Sequence, residues 1–182
     1  TDKMDNINAY SRLVVATEIE DQLACYINSA YVRAAGTNKH TQITISSSPH
    51  DQPTLEMLYM ISGGKNAFDD RPICNGGGCP VISPLRYGKS NREVCIESIK
   101  FGSPIWVIVA PQAGATAPAA LAGAIVQSVA EGLAGLLMVD GVQPGYPVVV
   151  GPWPCVSDLR TGAFSGGSGE EAVVSAGAAQ MV

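Results

Sequence analysis

Three side chains that could bind a charged small molecule lie close together near the C-terminal end of the chain. Trp153 follows the apolar run Pro147–Val150, and Asp158 and Arg160 come a few residues later. The face of an indole ring attracts cations, including a quaternary ammonium group, which can neither donate nor accept a hydrogen bond. We therefore predict that Trp153 forms one wall of a cation site. The alternative is a tryptophan that only fills an apolar gap.

The neighbouring polar residues each have two interpretations. Asp158 and Arg160 could form an ion pair that holds a long loop, or Arg160 could bind a substrate carboxylate through its forked guanidinium group. Gln112 and Thr116 precede a long apolar helix, whose N-terminus offers free N–H groups. Those groups could bind a carboxylate, or Thr116 could cap them. We predict that Gln112 faces the cavity.

Other aromatic and histidine side chains are weaker candidates. Tyr87 and Phe164 would each add an aromatic face, whereas Trp106 lies inside a predicted strand and is expected in the core. His50 follows a predicted strand and is the histidine that is placed for chemistry, although a surface histidine is the more common outcome. The sequence assigns no residue a catalytic role.

Several familiar kinds of site find no support. Cys74 and Cys79 are separated by Asn-Gly-Gly-Gly, which is not a usual zinc spacing, and no nearby histidine would supply a third ligand. The run Gly76–Gly78 lacks the lysine and the frame of a phosphate-binding loop. The serines show no nucleophile-elbow context. We therefore expect no metal bound directly to this chain.

The periodicity of the sequence predicts alternating helices and strands. Helices are expected at 17–35, 54–61, 91–101, 117–139 and 170–182, and strands near Gln42–Ser46, Cys79–Ser83, Pro104–Ala110 and Pro147–Val150. The last two strands are apolar almost throughout, which is typical of strands buried on both faces of a parallel sheet. The glycines at 76–78 are expected to interrupt or bulge the strand beside them.

Consecutive strands joined by helices indicate parallel crossovers, found in open doubly wound sheets and in (β/α)₈ barrels. A whole barrel takes about 250 residues, so this chain would hold about half of one. In a barrel the chemistry lies on the loops that follow the carboxyl ends of the strands. Those loops are predicted at 46–50, 83–87, 111–116 and 151–161.

Several segments resemble the trimethylamine methyltransferase family in the family's order and spacing. The strongest matches are Pro111–Gly123, Pro144–Gly151, Asp158–Gly162 and Glu170–Gln180, and looser ones are Thr41–Ser46 and Pro80–Leu85. The resemblance implies an α/β fold of parallel β/α units forming part of a TIM (β/α)₈ barrel. Family members are complete, longer barrels, so residues 1–182 are expected to be a single segment lacking the first and last strands.

The resemblance also implies an activity. A methyl group would pass from a quaternary or tertiary methylamine, such as trimethylamine or a glycine-betaine-like compound, to a corrinoid carried on a partner protein. The predicted substrate-binding residues are Trp153, Gln112, Thr116, Asp158, Arg160 and Tyr87, although Arg160 could instead contact a corrinoid side-chain amide. The alternatives are a non-catalytic half-barrel with a binding or assembly role, and an unrelated parallel α/β domain.

Composition restricts the partners and the location. A formal net charge of -5 disfavours a nucleic-acid binder, which needs a basic patch. The apolar stretch Ala117–Val139 contains Glu131, and a charge at mid-span costs about 2.5–3.5 kcal/mol, so we predict a buried helix and no membrane span. The polar N-terminus and the odd number of cysteines, 5, favour a reduced cytoplasmic protein. The open edges of a half-barrel predict association with a second copy or with the rest of a longer chain.

Overall fold

The computed structural model of the protein describes residues 2–11, 16–43 and 51–182. The helices are α1 (Gln22–Gly36), α2 (Asp51–Ser62), α3 (Lys65–Asp70), α4 (Lys89–Lys100), α5 (Leu121–Val142) and α6 (Gly169–Met181). The strands are β1 (Ala9–Tyr10), β2 (His40–Gln42), β3 (Cys74–Gly78), β4 (Val81–Ile82), β5 (Arg86–Tyr87), β6 (Ile105–Val109), β7 (Gln112–Ala113), β8 (Val148–Pro152), β9 (Cys155–Asp158) and β10 (Ala163–Phe164).

The main sheet is parallel and curls into a half-barrel. Its strand order is β1-β2-β3-β6-β8, so neighbours in the sheet follow one another along the chain. Gly76 lies opposite Ile105, and Ile105 lies opposite Val148. The predicted class is therefore confirmed: parallel β/α units adjacent in sequence order, as in part of a TIM barrel, and not the permuted order of an open doubly wound sheet.

The position of one predicted strand was wrong. The strand expected at Cys79–Ser83 is β3, which runs through the glycines at 76–78 that were expected to interrupt it. Gly77 has a φ of 100°, and a Cβ there would lie 2.6 Å from the carbonyl oxygen of Trp106 on β6. The glycines therefore permit a close approach between two strands. Val81 and Ile82 instead form β4, which pairs with β5 as an antiparallel hairpin.

The outer face of the sheet is covered by α4 and α5. Ile105, Val107 and Val109 are buried there, within an apolar cluster that includes Val139 of α5. On this helix a Cβ at Gly135 would lie 2.4 Å from Cγ1 of Val107, so the helix sits directly on the sheet. Tight helix–sheet packing of this kind requires the small residue at the contact.

The opposite, concave face is more open than the sequence predicted. Val149 of β8 is 54% exposed, although the strand was expected to be buried on both faces. Trp106, expected in the core, is only half-buried and lines a groove of about 320 Å³ together with His40 and Asn75. We call this the inner face, because in a closed barrel it would point to the barrel axis.

Among the described residues, α5 is the helix that is long and apolar enough to cross a membrane. It packs against β6, β8 and α6. Of its two acidic residues, Glu131 is fully buried and hydrogen-bonded within the protein. α5 thus packs part of its surface inside the protein, while Val126, Leu133 and Leu137 stay exposed, so it is less buried than the sequence predicted.

The cysteines are free thiols, and burial raises the pKa of four of them, most strongly those of Cys74 and Cys95. Burial raises the pKa of Cys74 to about 12 and that of Cys95 to about 11, because the thiolate would lose its hydration. We expect both to resist alkylation in the native protein at about pH 8, since only the thiolate reacts. Mass spectrometry after iodoacetamide treatment measures the alkylation of each cysteine, with urea-unfolded protein as the control. Native labelling of Cys74 as fast as that of the half-buried Cys25 would contradict it.

Candidate functional site

The loops at the carboxyl ends of β6 and β8 are joined into one structure by a small second sheet. β7 pairs with β9 in parallel, with Gln112 opposite Cys155, and β10 pairs with β9 in antiparallel. The backbone N–H of Trp153 also donates to the carbonyl of Val109, at 2.8 Å. The expected long loop after β8 is therefore partly strand. We call the surface made by residues 110–120 and 153–168 the mouth.

Gln112 and Thr116 hold the first of these loops. The Gln112 side-chain oxygen accepts a hydrogen bond from Oγ of Ser157 at 3.0 Å. The Gln112 backbone N–H donates to Oγ1 of Thr116 at 3.0 Å. Thr116 thus closes a turn within its own loop and does not cap α5, whose N-cap position is Ala120 without a side-chain hydrogen bond. Gln112 joins the two mouth loops through Ser157.

Trp153 lies beside a carboxylate. Its side chain is 52% exposed, and its indole Nε1 donates to Oε1 of Glu171 at 3.2 Å. The other carboxylate oxygen accepts from the backbone N–H of Gly167 at 2.5 Å. The hydrogen bond fixes the edge of the ring, and about half of Trp153 stays exposed, so an aromatic side chain and a negative charge lie together beside the mouth.

Sequence reasoning did not single out Glu171, although a signal for it exists. Ser168 is the N-cap of α6, and its hydroxyl accepts from the backbone N–H of Glu171 at 3.2 Å. The spacing Ser-x-x-Glu is that of a capping box. It predicts where the carboxylate lies relative to the helix end. The contact with Trp153 depends on how α6 packs on β9, which no local pattern shows.

Asp158 and Arg160 form a turn. Asp158 accepts from the backbone N–H of Arg160 at 2.9 Å and from the hydroxyl of Thr161 at 2.9 Å. These bonds lower the pKa of Asp158, the backbone bond from Arg160 being the largest cause. The two side chains also pair at 3.5 Å, with that of Arg160 85% exposed. The geometry matches the loop-holding alternative, and most of the guanidinium donors still face solvent.

Tyr87 is not brought together with these residues. It lies on β5, where its hydroxyl donates to the carbonyl of Ala134 on α5 at 3.0 Å. Its ring is about half exposed, as is that of Phe164 on β10, beside Ser157. His50 and the loop 46–50 lie outside the described residues.

A second residue that the sequence analysis did not assign to the site is Glu131. It is fully buried, and its carboxylate accepts from Oγ of Ser83 at 2.6 Å, from the backbone N–H of Leu85 at 3.1 Å and from Nε2 of Gln127 at 2.9 Å. A lone acidic residue in an apolar stretch is a visible signal. Gln127, four residues away on the same helix, is a partner that the sequence could show, whereas Ser83 and Leu85 are too far from Glu131 in the sequence.

No metal centre is formed by the residues that the structure describes: no group of three or more His, Cys, Asp or Glu side chains is arranged to hold an ion. The absence of a bound metal stays a prediction. The mouth offers two exposed aromatic side chains, Trp153 and Phe164, and the exposed guanidinium group of Arg160, and α6 adds the carboxylate of Glu171 beside Trp153. That set suits a small organic cation, and one with its own carboxylate could also use Arg160.

Comparison with known proteins assigns the chain to a family. The family model described as trimethylamine methyltransferase matches residues 1–182. The chain belongs to the trimethylamine methyltransferase family. A trimethylamine methyltransferase of Desulfitobacterium hafniense is 28% identical over 180 residues, which cover 99% of this chain and 36% of that protein. The family assignment confirms the resemblance found in the sequence and removes the unrelated α/β domain as an alternative.

Other relatives in the family act on different methylated compounds, according to their names. A glycine betaine methyltransferase of Desulfitobacterium hafniense is 29% identical over 130 residues, covering 71% of this chain and 27% of that protein. A proline betaine:corrinoid methyltransferase of Eubacterium limosum is 32% identical over 105 residues, covering 58% of this chain and 21% of that protein. The chain thus spans about a third or less of the length of these relatives.

Proposed function

We propose that this chain forms part of a methyltransferase that takes a methyl group from a quaternary or tertiary methylamine and passes it to a corrinoid on a partner protein. The observation that carries the proposal is the pairing of Trp153 with Glu171 at the mouth of a half-barrel of this family. The relatives' names support a methylated amine or betaine as substrate, and one of those names includes a corrinoid. The proposed protein is cytoplasmic, and residues 1–182 are one segment of its barrel.

Trp153 and Glu171 would act by binding and orienting the ammonium group. The indole face attracts the cation, and the adjacent carboxylate adds a charge of opposite sign. The substrate nitrogen loses its positive charge as the methyl group leaves with an electron-deficient carbon, and the amine departs neutral. Binding of the cation is therefore weaker in the transition state than in the ground state. These two residues would accelerate the reaction through orientation and not through charge stabilisation.

The chain need supply little acid–base chemistry for a quaternary substrate, since the leaving amine takes no proton from the protein. When bound, the corrinoid of the partner would supply the nucleophile that accepts the methyl group. The exposed Leu159 and Phe164 at the mouth would help to exclude water once the partner is docked.

Arg160 would select among substrates. A betaine carries a carboxylate that trimethylamine lacks, and an exposed guanidinium group can bind it through two hydrogen bonds. Asp158 would hold the Arg160 turn in place. We expect Arg160→Leu to weaken binding of a betaine and to leave binding of trimethylamine unchanged.

The test is calorimetry with trimethylamine, glycine betaine, proline betaine and carnitine. Trp153→Ala should weaken binding of the best ligand by about 0.5–2 kcal/mol, or roughly 2- to 30-fold, because the cation–π attraction is lost. Glu171→Gln should also weaken binding. Its matched control is Glu170→Gln, which removes the neighbouring charge of the same helix turn and should change binding little.

Two outcomes would argue against the proposal in different ways. No binding of any of the four compounds, by this chain or by a protein of the relatives' length, would count against the substrate class. Binding that survives Trp153→Ala unchanged would place the site elsewhere on the half-barrel. Binding without demethylation, in a longer protein supplied with a reduced corrinoid protein, would favour the alternative of a non-catalytic binding role.

A further inference from the structure

The carboxylate of Glu131 is buried in an apolar helix without a cation beside it among the described residues. Its side chain has no exposed surface. Three donors satisfy it: the hydroxyl of Ser83, the backbone N–H of Leu85 and the side-chain amide of Gln127. A buried acid of this kind is costly to desolvate, and replacing such groups with apolar residues is often neutral or stabilising. Stability alone therefore gives little reason for a carboxylate here.

The donors to Glu131 come from one loop at the carboxyl end of the sheet and from α5 itself. Ser83 and Leu85 belong to the loop between β4 and β5, which follows β3. Gln127 uses the same amide nitrogen to donate to the backbone carbonyl of Thr116 at 2.8 Å. One carboxylate thus links the loop after β3 to the loop after β6. Thr116 in turn bonds Gln112, which contacts Ser157 beyond β8.

We infer that Glu131 is a positioning residue: it sets the spacing of the loops 83–87 and 112–117 and thereby the shape of the substrate site at the mouth. This inference rests on the proposed function. What the inference adds is that the hydrogen bonds from Ser83 through Glu131 and Gln127 to Thr116 fix the position of one loop relative to the other. Glu131 itself is buried beneath the loops and does not contact the substrate.

Two substitutions separate positioning from simple packing. In Glu131→Gln the amide oxygen can still accept from Leu85 and Gln127, and the amide nitrogen can donate to the hydroxyl of Ser83, which also accepts. Glu131→Met keeps the length of the side chain but loses every strong acceptor. We expect Glu131→Gln to bind the best methylated amine within about twofold of the unmodified chain, and Glu131→Met to bind it about tenfold more weakly while still folded.

Hydrogen exchange gives a readout that needs no ligand. Glu131→Met should speed amide exchange in 83–87 and 112–117 and leave α4 unchanged, whereas Glu131→Gln should leave all three as they are. If the unmodified chain binds no methylated amine, the proposed function fails, and the exchange data still decide whether Glu131 holds the loops. A folded Glu131→Met protein that exchanges and binds like the unmodified chain would overturn the inference. So would loosened loops with unchanged affinity.

A second variant covers the case in which Glu131→Met does not fold. Gln127→Met removes the hydrogen bonds to Glu131 and to Thr116, and leaves Ser83 and Leu85 bonded to the carboxylate. It should loosen 112–117 without loosening 83–87, and it should weaken binding of the amine. Unchanged exchange at 112–117 together with unchanged affinity would overturn the inference.

Discussion

Replacing Gly135 with alanine should destabilise the chain by about 2 kcal/mol. The new Cβ would lie 2.4 Å from Cγ1 of Val107, closer than real side-chain carbons approach. Val107 is fully buried on the outer face of β6, so it has no free space into which it can move. Overpacking of this kind costs about 1–3 kcal/mol and outweighs the gain of about 0.5–1 kcal/mol that alanine brings to a helix.

Gly141→Ala in the same helix is the matched control. A Cβ at Gly141 would meet nothing within 4 Å, so that variant should be more stable by about 0.5–1 kcal/mol. Urea unfolding monitored by circular dichroism measures the stability of both variants. Their midpoint urea concentrations are compared, provided that the slope of the free energy of unfolding against urea is unchanged. If both alanines shift the midpoint in the same direction, α5 does not pack on β6 as the structure shows.

The parallel strands with apolar runs were predictable from sequence, while β3 was not. β6 contains five apolar residues in succession, a local pattern that reports burial directly. β3 contains three glycines, which have low strand propensity, and pairing with β6 alone explains them. The four-residue β9 pairs with the two-residue β7 on one side and with β10 on the other. No local pattern in either segment predicts that pairing.

In the candidate site, too, local sequence patterns predicted some residues, while others are brought in only by tertiary packing. Trp153 was predicted because an aromatic residue directly after a barrel strand has a definite place at the mouth. The carboxylate beside it, Glu171, comes from the start of another helix, 18 residues later. Tyr87 was assigned to the mouth on the assumption that its segment was a loop following a barrel strand. That segment does follow β3, but it forms a hairpin that packs on α5, so a role for Tyr87 in binding stays a prediction.

The open inner face and edges of the half-barrel should make this chain self-associate in solution. β1 and β8 are the outermost strands of the parallel sheet, each paired on one side among the described residues. Unpaired backbone groups on edge strands favour association with another chain. Val149 on β8 adds exposed apolar surface next to the groove lined by Trp106. Sedimentation velocity should therefore show a species larger than 18.9 kDa at micromolar concentration.

Val149→Lys should shift this association strongly toward the monomer. Burying a valine side chain stabilises a contact by about 1.5–3 kcal/mol, so losing it should raise the dissociation constant roughly 10- to 150-fold. Val126 on α5 is the matched control, since it is 69% exposed but lies on the helical layer. Val126→Lys should leave the association unchanged. Equal effects of the two lysines would show that the inner face is not the contact.

The same face offers a second way to test the half-barrel. The relatives are longer than this chain, and further β/α units in one protein would compete for the inner face and the edges of β1 and β8. A longer protein that completes the barrel should therefore be insensitive to concentration where the 182-residue chain associates. In that longer protein, Val149→Lys would place a charge in a closed core. The substitution should therefore reduce stability and should not change assembly. A strictly monomeric 182-residue chain with a closed sheet would contradict both expectations.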